Sequence, residues 1–194
     1  MTARRVPRKR TGALFLDRDG VINATPQKRY ITRWREFHFL PGSLGALRLL
    51  NEEGRKVVVL SNQAGVGRGV LSRSRLNLIT RRMLAAIRKA GGRVAAVYYC
   101  THPPENGCRC RKPRTGLLRR ACRRFRIDPR RSFVVGDNAT DVAMGHAAGC
   151  RTVLVLSGMS TRGEARRMPV KPDQVARNLA QAVQWILRDG YRVT

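Results

Sequence analysis

Short apolar runs that stop at polar residues recur along the chain and predict buried β-strands. They cover residues 13–16, 56–60, 94–99, 132–136 and 153–156, and we expect the last of these to be the final strand. Apolar residues at helical spacing lie between them, as in residues 72–90, and again in a terminal helix expected at 174–187. Strands that alternate with helices are typical of an α/β fold with a doubly wound, Rossmann-like parallel sheet. Such sheets bind ligands at the carboxyl ends of their strands.

The length of the chain suits one domain. With 194 residues it can bury a sizeable core, and we expect a single domain at residues 13–190. Residues 1–12 are rich in arginine and predict a basic N-terminal arm, while residues 24–39 suit a flap over the site. No apolar run approaches the length of a membrane helix, and no signal peptide is visible. These features predict a soluble cytoplasmic protein.

The charge of the chain is strongly positive. A formal net charge of +28 favours polyanions such as nucleic acid as non-specific partners. However, the excess is nearly all arginine spread along the whole chain, and no aromatic residues interleave with the basic clusters to stack on bases. A dedicated nucleic-acid role is therefore the less favoured interpretation, and the purpose of the arginines stays open.

Two carboxylates follow the first predicted strand. Asp17 and Asp19 are two residues apart, so in an extended chain they project to the same side, and Gly20 then lets the chain turn away. Carboxylates held this close repel each other unless a cation lies between them, which indicates bound Mg²⁺. The alternative is a strand that ends in two solvated aspartates, because Asp-x-Asp alone is a weak motif.

Polar side chains also follow two later strands. Ser61 and Asn62 end the second apolar run, and the glycines behind them free backbone N–H groups that can hold phosphate oxygens. A Ser-Asn loop is also ordinary turn chemistry. Asp137 ends the fourth run as Asp17 ends the first, and Asp141, one helical turn later, is expected to cap and orient this loop.

Four potential zinc ligands lie within eleven residues. Three thiols and an imidazole suit a closed, tetrahedral and therefore structural Zn²⁺ site. The alternatives are cysteines that cluster by chance, or a disulfide between the last two cysteines, which would close a strained small ring. Arg111 and Lys112 follow directly, so a zinc loop would fix the direction from which Lys112 approaches phosphate. The four ligands are Cys100, His102, Cys108 and Cys110.

Together these motifs resemble the haloacid dehalogenase superfamily of phosphotransferases. The resemblance spans residues 13 to about 158 and leaves no room for a separate cap domain, so it implies a capless fold. The Cys-x-His and Cys-x-Cys pairs resemble the zinc loop of heptose-bisphosphate and histidinol-phosphate phosphatases. The four matching motifs are Asp17-Arg18-Asp19-Gly20-Val21-Ile22-Asn23, Ser61-Asn62-Gln63-Ala64-Gly65, Arg111-Lys112-Pro113, and Gly136-Asp137 with Asp141.

The resemblance implies a Mg²⁺-dependent phosphomonoester hydrolase. Asp17 would attack phosphorus and become an aspartyl phosphate, while Asp19 would serve as general acid and base. Asp17, the backbone carbonyl of Asp19, and Asp137 would hold Mg²⁺. The implied phosphate-binding and substrate-binding residues are Ser61, Asn62, Arg111 and Lys112.

As substrate, the resemblance favours a small phosphorylated sugar, D-glycero-D-manno-heptose 1,7-bisphosphate, which would lose its 7-phosphate. A primary phosphate on an extended sugar suits an open cleft, and Arg111 would hold the second phosphate. The alternatives are histidinol phosphate, a polynucleotide 3′-phosphate, and a non-catalytic nucleic-acid-binding role. We expect a monomer that works in carbohydrate metabolism and heptose biosynthesis.

Overall fold

The fold is built on a parallel sheet. A computed structural model describes residues 10–25 and 30–188, and within these ranges six strands lie in the order β3-β2-β1-β4-β5-β6. This order confirms the predicted doubly wound sheet. The strands are β1 (Leu14–Leu16), β2 (Val57–Asn62), β3 (Ala96–Cys100), β4 (Phe133–Gly136), β5 (Arg151–Val155) and β6 (Gln174–Ala176).

Helices cover both faces of this sheet. The long third helix begins where its sequence predicts, because Ser72 Oγ accepts a hydrogen bond from the Arg75 N–H at 3.2 Å and caps it. Each helix of the described ranges is too short or too polar to cross a lipid bilayer. The helices are α1 (Ser43–Glu52), α2 (Ala64–Gly67), α3 (Arg73–Lys89), α4 (Gly116–Phe125), α5 (Ala139–Ala148), α6 (Arg162–Arg167) and α7 (Leu179–Arg188).

The central strand β1 has a different core on each face. Leu14 and Leu16 pack with apolar residues of α1, α3 and α7, whereas Phe15 packs with α4 and with Met144 of α5. Successive side chains of a strand point to opposite faces, so a strand between two helical layers is apolar at every position. This burial explains the continuous apolar runs in the sequence and fixes the strand end that precedes Asp17.

The end of the chain differs from the prediction. The predicted helix over residues 174–187 is wrong at its start, because residues 174–176 form β6 and α7 begins after them. The strand β6 pairs in parallel with β5, so β5 is not the final strand. Asp173 explains the approach of the extra strand. Its Oδ2 accepts hydrogen bonds from the backbone N–H of Thr152 at 2.7 Å and from the Thr152 hydroxyl at 2.8 Å, which ties the incoming segment to β5.

The expected N-terminal arm lies mostly outside the described residues, as do residues 26–29 of the expected flap. Thr11 forms a parallel bridge to Ile127, and its carbonyl accepts a hydrogen bond from the Asp128 N–H at 3.0 Å. Further along, the buried Phe37 stacks on Trp34 with 5.0 Å between ring centroids. The division into an arm at 1–12 and a domain at 13–190 stays a prediction.

Candidate active site

Three carboxylates meet where the strand order of the sheet reverses. Asp17 follows β1, Asp137 follows its neighbour β4, and Asp141 lies in the first turn of α5. One carboxylate oxygen from each lies within 4.8 Å of the others. Open α/β sheets bind ligands in the crevice at this position. The topology therefore gathers side chains that are more than a hundred residues apart in the chain.

Lys112 faces these carboxylates from the other side of the crevice. Its Nζ lies 2.9 Å from Asp17 Oδ2 and 2.6 Å from Asp141 Oδ1, and it donates a hydrogen bond to the Leu60 carbonyl at 3.1 Å. Burial alone would lower the pKa of Lys112, but the charges of Asp141 and Asp17 outweigh it and raise this pKa above its ordinary value. The buried ammonium group therefore stays charged.

Asp141 does not have the capping role expected from its position. Asn138 caps α5 instead, because its Oδ1 accepts a hydrogen bond from the Thr140 N–H at 3.0 Å. The Asp141 carboxylate is buried against Lys112, and burial raises the pKa of Asp141. An asparagine just before a helix was the available signal for the true cap. The ion pair with Lys112 had no signal in the local sequence.

The acidic cluster, formed by Asp17, Asp137 and Asp141, has the chemistry of a divalent-cation site. Asp137 Oδ2 accepts a hydrogen bond from the Met159 N–H at 2.8 Å, and burial, followed by the charge of Asp17, raises the pKa of Asp137 to about 6. Carboxylates that lie close together repel each other and are stabilised when a cation lies among them. Carboxylate oxygens are also the ligands that Mg²⁺ prefers, so these residues fit the metal.

Asn62 and Ser61 lie beside this cluster at the end of β2. Asn62 Oδ1 accepts a hydrogen bond from the Lys112 N–H at 3.1 Å, and its Nδ2 donates to the Lys112 carbonyl at 3.3 Å. Both ends of the Asn62 amide thus hold the backbone that carries the lysine. The Ser61 hydroxyl is buried and accepts a hydrogen bond from Gln63 Nε2 at 3.0 Å.

The Asp19 carboxylate is surrounded by donors. Arg18 Nε donates to Oδ1 at 3.0 Å, and Arg18 Nη2 donates to Oδ2 at 2.9 Å. Asn23 Nδ2 donates to Oδ1 at 3.0 Å, and Gln63 Nε2 donates to Oδ2 at 2.7 Å. Arg18 and Gln63 lie within the predicted motifs but had no predicted role. The contact of Gln63 joins the ends of two strands, whereas that of Arg18 is made to the next residue in the chain.

A cavity of about 410 Å³ opens over these side chains. Tyr30 and Ile31, from the expected flap, form part of its wall. Arg111 also reaches the cavity, and its Nη1 is buried without a hydrogen-bond partner among the described residues. The structure thus brings together all the residues predicted around the phosphate, which are Asp17, Asp19, Ser61, Asn62, Arg111, Lys112 and Asp137.

The four predicted zinc ligands also converge. Cys110 Sγ lies 3.3 Å from Cys100 Sγ, 3.4 Å from Cys108 Sγ and 3.2 Å from His102 Nδ1. Thiolates about 2.3 Å from a tetrahedral Zn²⁺ are roughly 3.8 Å apart, so this cluster fits the ion closely. All five cysteines are free thiols, which excludes the alternative Cys108–Cys110 disulfide from this structure.

Comparison with known proteins identifies the family. The HAD-hydrolase-like family model matches residues 109–182. A relative from Pseudomonas putida is 36% identical over 156 residues, which cover 80% of this chain and 89% of the relative. One from Bordetella bronchiseptica is 34% identical over 177 residues, which cover 91% and 98%. Both are D-glycero-β-D-manno-heptose-1,7-bisphosphate 7-phosphatases. The chain belongs to the heptose-bisphosphate phosphatase family of haloacid dehalogenase-like hydrolases.

A solved member of this phosphatase family has the same architecture. The crystal structure of the B. bronchiseptica D,D-heptose 1,7-bisphosphate phosphatase, complexed with magnesium and phosphate, has a TM-score of 0.85 and 34% identity, and covers 91% of this chain and 98% of its own. A Mycobacterium bovis relative, 38% identical over 78% of this chain and 83% of its own, is named for the α anomer of the sugar. The predicted haloacid dehalogenase fold and phosphomonoester hydrolase class are confirmed.

Proposed function

We propose that this protein is a Mg²⁺-dependent phosphatase that removes the 7-phosphate of D-glycero-D-manno-heptose 1,7-bisphosphate. The observation that carries the proposal is the 2.9 Å contact between Asp17 Oδ2 and Lys112 Nζ at the edge of an acidic cluster. A carboxylate nucleophile with a buried cation beside it suits attack on a phosphoryl group whose oxygens gain negative charge.

The reaction would proceed in two displacements on phosphorus. Asp17 attacks phosphorus and the bond to the sugar oxygen breaks, while Asp19 gives its proton to that oxygen. Water then attacks the aspartyl phosphate and gives a proton to Asp19, which releases phosphate and regenerates Asp17. Lys112 and Ser61 bind the phosphoryl oxygens, and Asn62 acts mainly by holding the backbone of Lys112.

We assign two metals to the two clusters. Asp17, Asp137 and the backbone carbonyl of Asp19 would hold Mg²⁺, which offsets negative charge on the phosphoryl group when bound. Asp141 stays with Lys112, to which it is bound at 2.6 Å. The other cluster would hold a structural Zn²⁺ and thereby fix the loop that precedes Lys112. Its ligands are Cys100, His102, Cys108 and Cys110.

Arg111 supports a substrate with a second anionic group. Its Nη1 is buried at the cavity without a partner among the described residues, and a buried guanidinium N–H is costly unless it meets an acceptor. A phosphate at the far end of the sugar supplies such an acceptor. We further propose that the protein acts as a monomer in the cytoplasm, with a phosphatase domain at residues 13–190.

Phosphate release from competing substrates tests this proposal. Both anomers of heptose 1,7-bisphosphate, histidinol phosphate and a 3′-phosphorylated oligonucleotide are each assayed with Mg²⁺ for kcat/KM. We expect a heptose bisphosphate to give the highest value. A higher value for histidinol phosphate or the oligonucleotide would transfer the proposal to that substrate, and nucleic-acid binding without hydrolysis would reject it.

Replacement of the nucleophile tests the mechanism. Asp17→Asn should lower kcat by at least about 1,000-fold, because the amide cannot form the aspartyl phosphate. Asp128→Asn is the matched control, since Asp128 caps a short helix before β4 and asparagine caps equally well. Near-normal turnover by Asp17→Asn contradicts the mechanism.

A further inference from the structure

Arg18 is a buried charge that the proposed reaction does not use. Its side chain is 1% exposed and lies between the rings of Phe37 and Tyr99, with 6.0 Å and 5.8 Å from its Cζ to the ring centroids. A guanidinium is costly to bury unless a carboxylate pairs with it. Arg18 makes such a pair with Asp19, the residue next to it.

The donors around Asp19 occupy all of its acceptor positions. A carboxylate has about four lone-pair sites, and each oxygen here accepts two hydrogen bonds. Oδ1 is held by Arg18 and Asn23, which are 1% and 0% exposed and do not line the cavity. Oδ2 is held by Arg18 and Gln63, and Gln63 does line the cavity. One donor of Asp19 therefore borders the space where substrate would bind.

Gln63 also connects Asp19 to the phosphate-binding end of β2. Its Nε2 carries two N–H groups and lies 2.7 Å from Asp19 Oδ2 and 3.0 Å from Ser61 Oγ. The amide thus joins the carboxylate proposed to exchange protons with the hydroxyl proposed to contact the phosphoryl group. A shift of either group would break a hydrogen bond of the Gln63 amide, and Gln63 is only 3% exposed.

We propose that Arg18 and Gln63 are positioning residues for Asp19, and that Oδ2 is the oxygen that exchanges protons. Arg18 fixes the plane of the carboxylate through two hydrogen bonds. The hydrogen bond from Gln63 breaks during the reaction, so that Oδ2 can contact the leaving oxygen and later the attacking water. This inference rests on the proposed function, since it assumes that Asp19 is the general acid and base.

Two substrates with different leaving groups test the inference. Loss of an alkoxide from heptose bisphosphate requires a proton from Asp19, whereas loss of nitrophenolate from 4-nitrophenyl phosphate does not. In Gln63→Leu, kcat for the sugar phosphate should fall by about 10- to 100-fold with KM within about threefold, since misplacement by 1 Å costs about that much. With 4-nitrophenyl phosphate, the first nitrophenolate should appear at the wild-type rate, followed by slow turnover as the phosphoenzyme accumulates.

Further variants separate positioning from a structural role. Arg18→Met should show the same difference between the two substrates as Gln63→Leu. Arg18→Lys should recover part of kcat for the sugar phosphate because it keeps the charge. Gln181→Leu is the matched control, because it also removes an amide with a hydrogen bond, here from the Arg177 N–H, but lies on α7 away from the cavity, and it should keep the wild-type kcat. If Arg18→Met fails to fold in a thermal unfolding assay, the Gln63 variant still decides the question.

Two results would overturn the inference. In the first, Gln63→Leu slows the release of the first nitrophenolate as much as it slows turnover. In the second, Gln63→Leu raises KM for the sugar phosphate and leaves kcat unchanged. Absence of any phosphate release by the wild-type protein is a different result, since it rejects the phosphatase proposal itself.

Discussion

At the scale of single residues, two glycines make room for the Asp137 carboxylate. A Cβ at Gly158 would lie 2.0 Å from Asp137 Oδ2, and one at Gly20 would lie 2.2 Å from the same atom. Gly20 also has φ +78°, a conformation that residues with a Cβ rarely adopt. Both positions therefore require glycine so that Asp137 can face Asp17.

Replacement of Gly158 should damage the site more than the fold. We expect Gly158→Ala to displace Asp137 and to lower kcat by about 100-fold, with a higher Mg²⁺ concentration for half-maximal activity. Gly163→Ala is the matched control, because the nearest atom to its added Cβ is 3.9 Å away and alanine favours the α6 helix by roughly 0.5–1 kcal/mol. Equal activities of the two variants in a Mg²⁺ titration would show that Gly158 is not needed.

Local motifs predicted the identity of the site residues, but their contacts depend on chain segments that are far apart. The sequence around Asp141 contains no lysine that could indicate its pairing with Lys112, which comes 29 residues earlier. Likewise, Asn62 and Lys112 are 50 residues apart and meet because β2 ends beside the loop that carries the cysteine and histidine cluster. A short motif specifies residue types and their local spacing, but it does not specify which distant segment its residues will contact.

At the scale of elements, the loop between β3 and α4 holds a thiol, Cys108, that is more acidic than the buried thiol of Cys150. Burial opposes ionisation of Cys108, but hydrogen bonds from Cys110 and Cys100 together outweigh it and lower the pKa of Cys108 to about 6. Burial raises the pKa of Cys150, which lies outside the loop, to about 12. Cys108 is thus the thiol best able to react at neutral pH when no metal protects it.

Removal of the proposed zinc should reveal the difference in reactivity between Cys108 and Cys150. After treatment with a chelator, iodoacetamide at pH 7 should alkylate Cys108 first and leave Cys150 unmodified, because the thiolate is the reactive form. Before chelation Cys108 should be protected, and mass spectrometry of peptides reports both states. Equal alkylation of Cys108 with and without chelator would count against a zinc site.

The error at the C-terminal end also belongs to this scale. Residues 174–176 are too few for periodicity to separate a strand from the start of a helix. The extended conformation arises because Asp173 bonds to Thr152 and the chain pairs with β5. Tertiary pairing therefore overrides the local helical pattern.

At the scale of the whole molecule, the charge balance opposes compaction. The chain has 40 lysine and arginine residues against 12 acidic ones, and four of the acidic residues lie in the site. Outside the site, the ion pairs include Arg48 with Glu52 and Arg68 with Glu105, both at 3.6 Å and largely exposed. Such exposed pairs contribute little, so mutual repulsion among arginines remains.

Salt should therefore stabilise the protein. An increase in NaCl from about 10 mM to about 150 mM shortens the screening length from about 30 Å to about 8 Å. We expect Tm to rise by roughly 4 to 8 °C, which corresponds to about 2 kcal/mol for a chain of this size. Calorimetry measures the shift, with sucrose at equal osmolality as the uncharged control. A constant or falling Tm in NaCl would mean that repulsion does not limit stability.

The sequence by itself determined the strands of the inner sheet, the parallel α/β class and the residue types of both clusters, because burial on two faces and ligand chemistry leave local patterns. Tertiary structure alone decided that Lys112 pairs with Asp141, that Gln63 reaches Asp19, and that β6 joins the sheet. These contacts form only when strands distant in sequence end at one edge of the sheet. Residue spacing therefore carries no record of them.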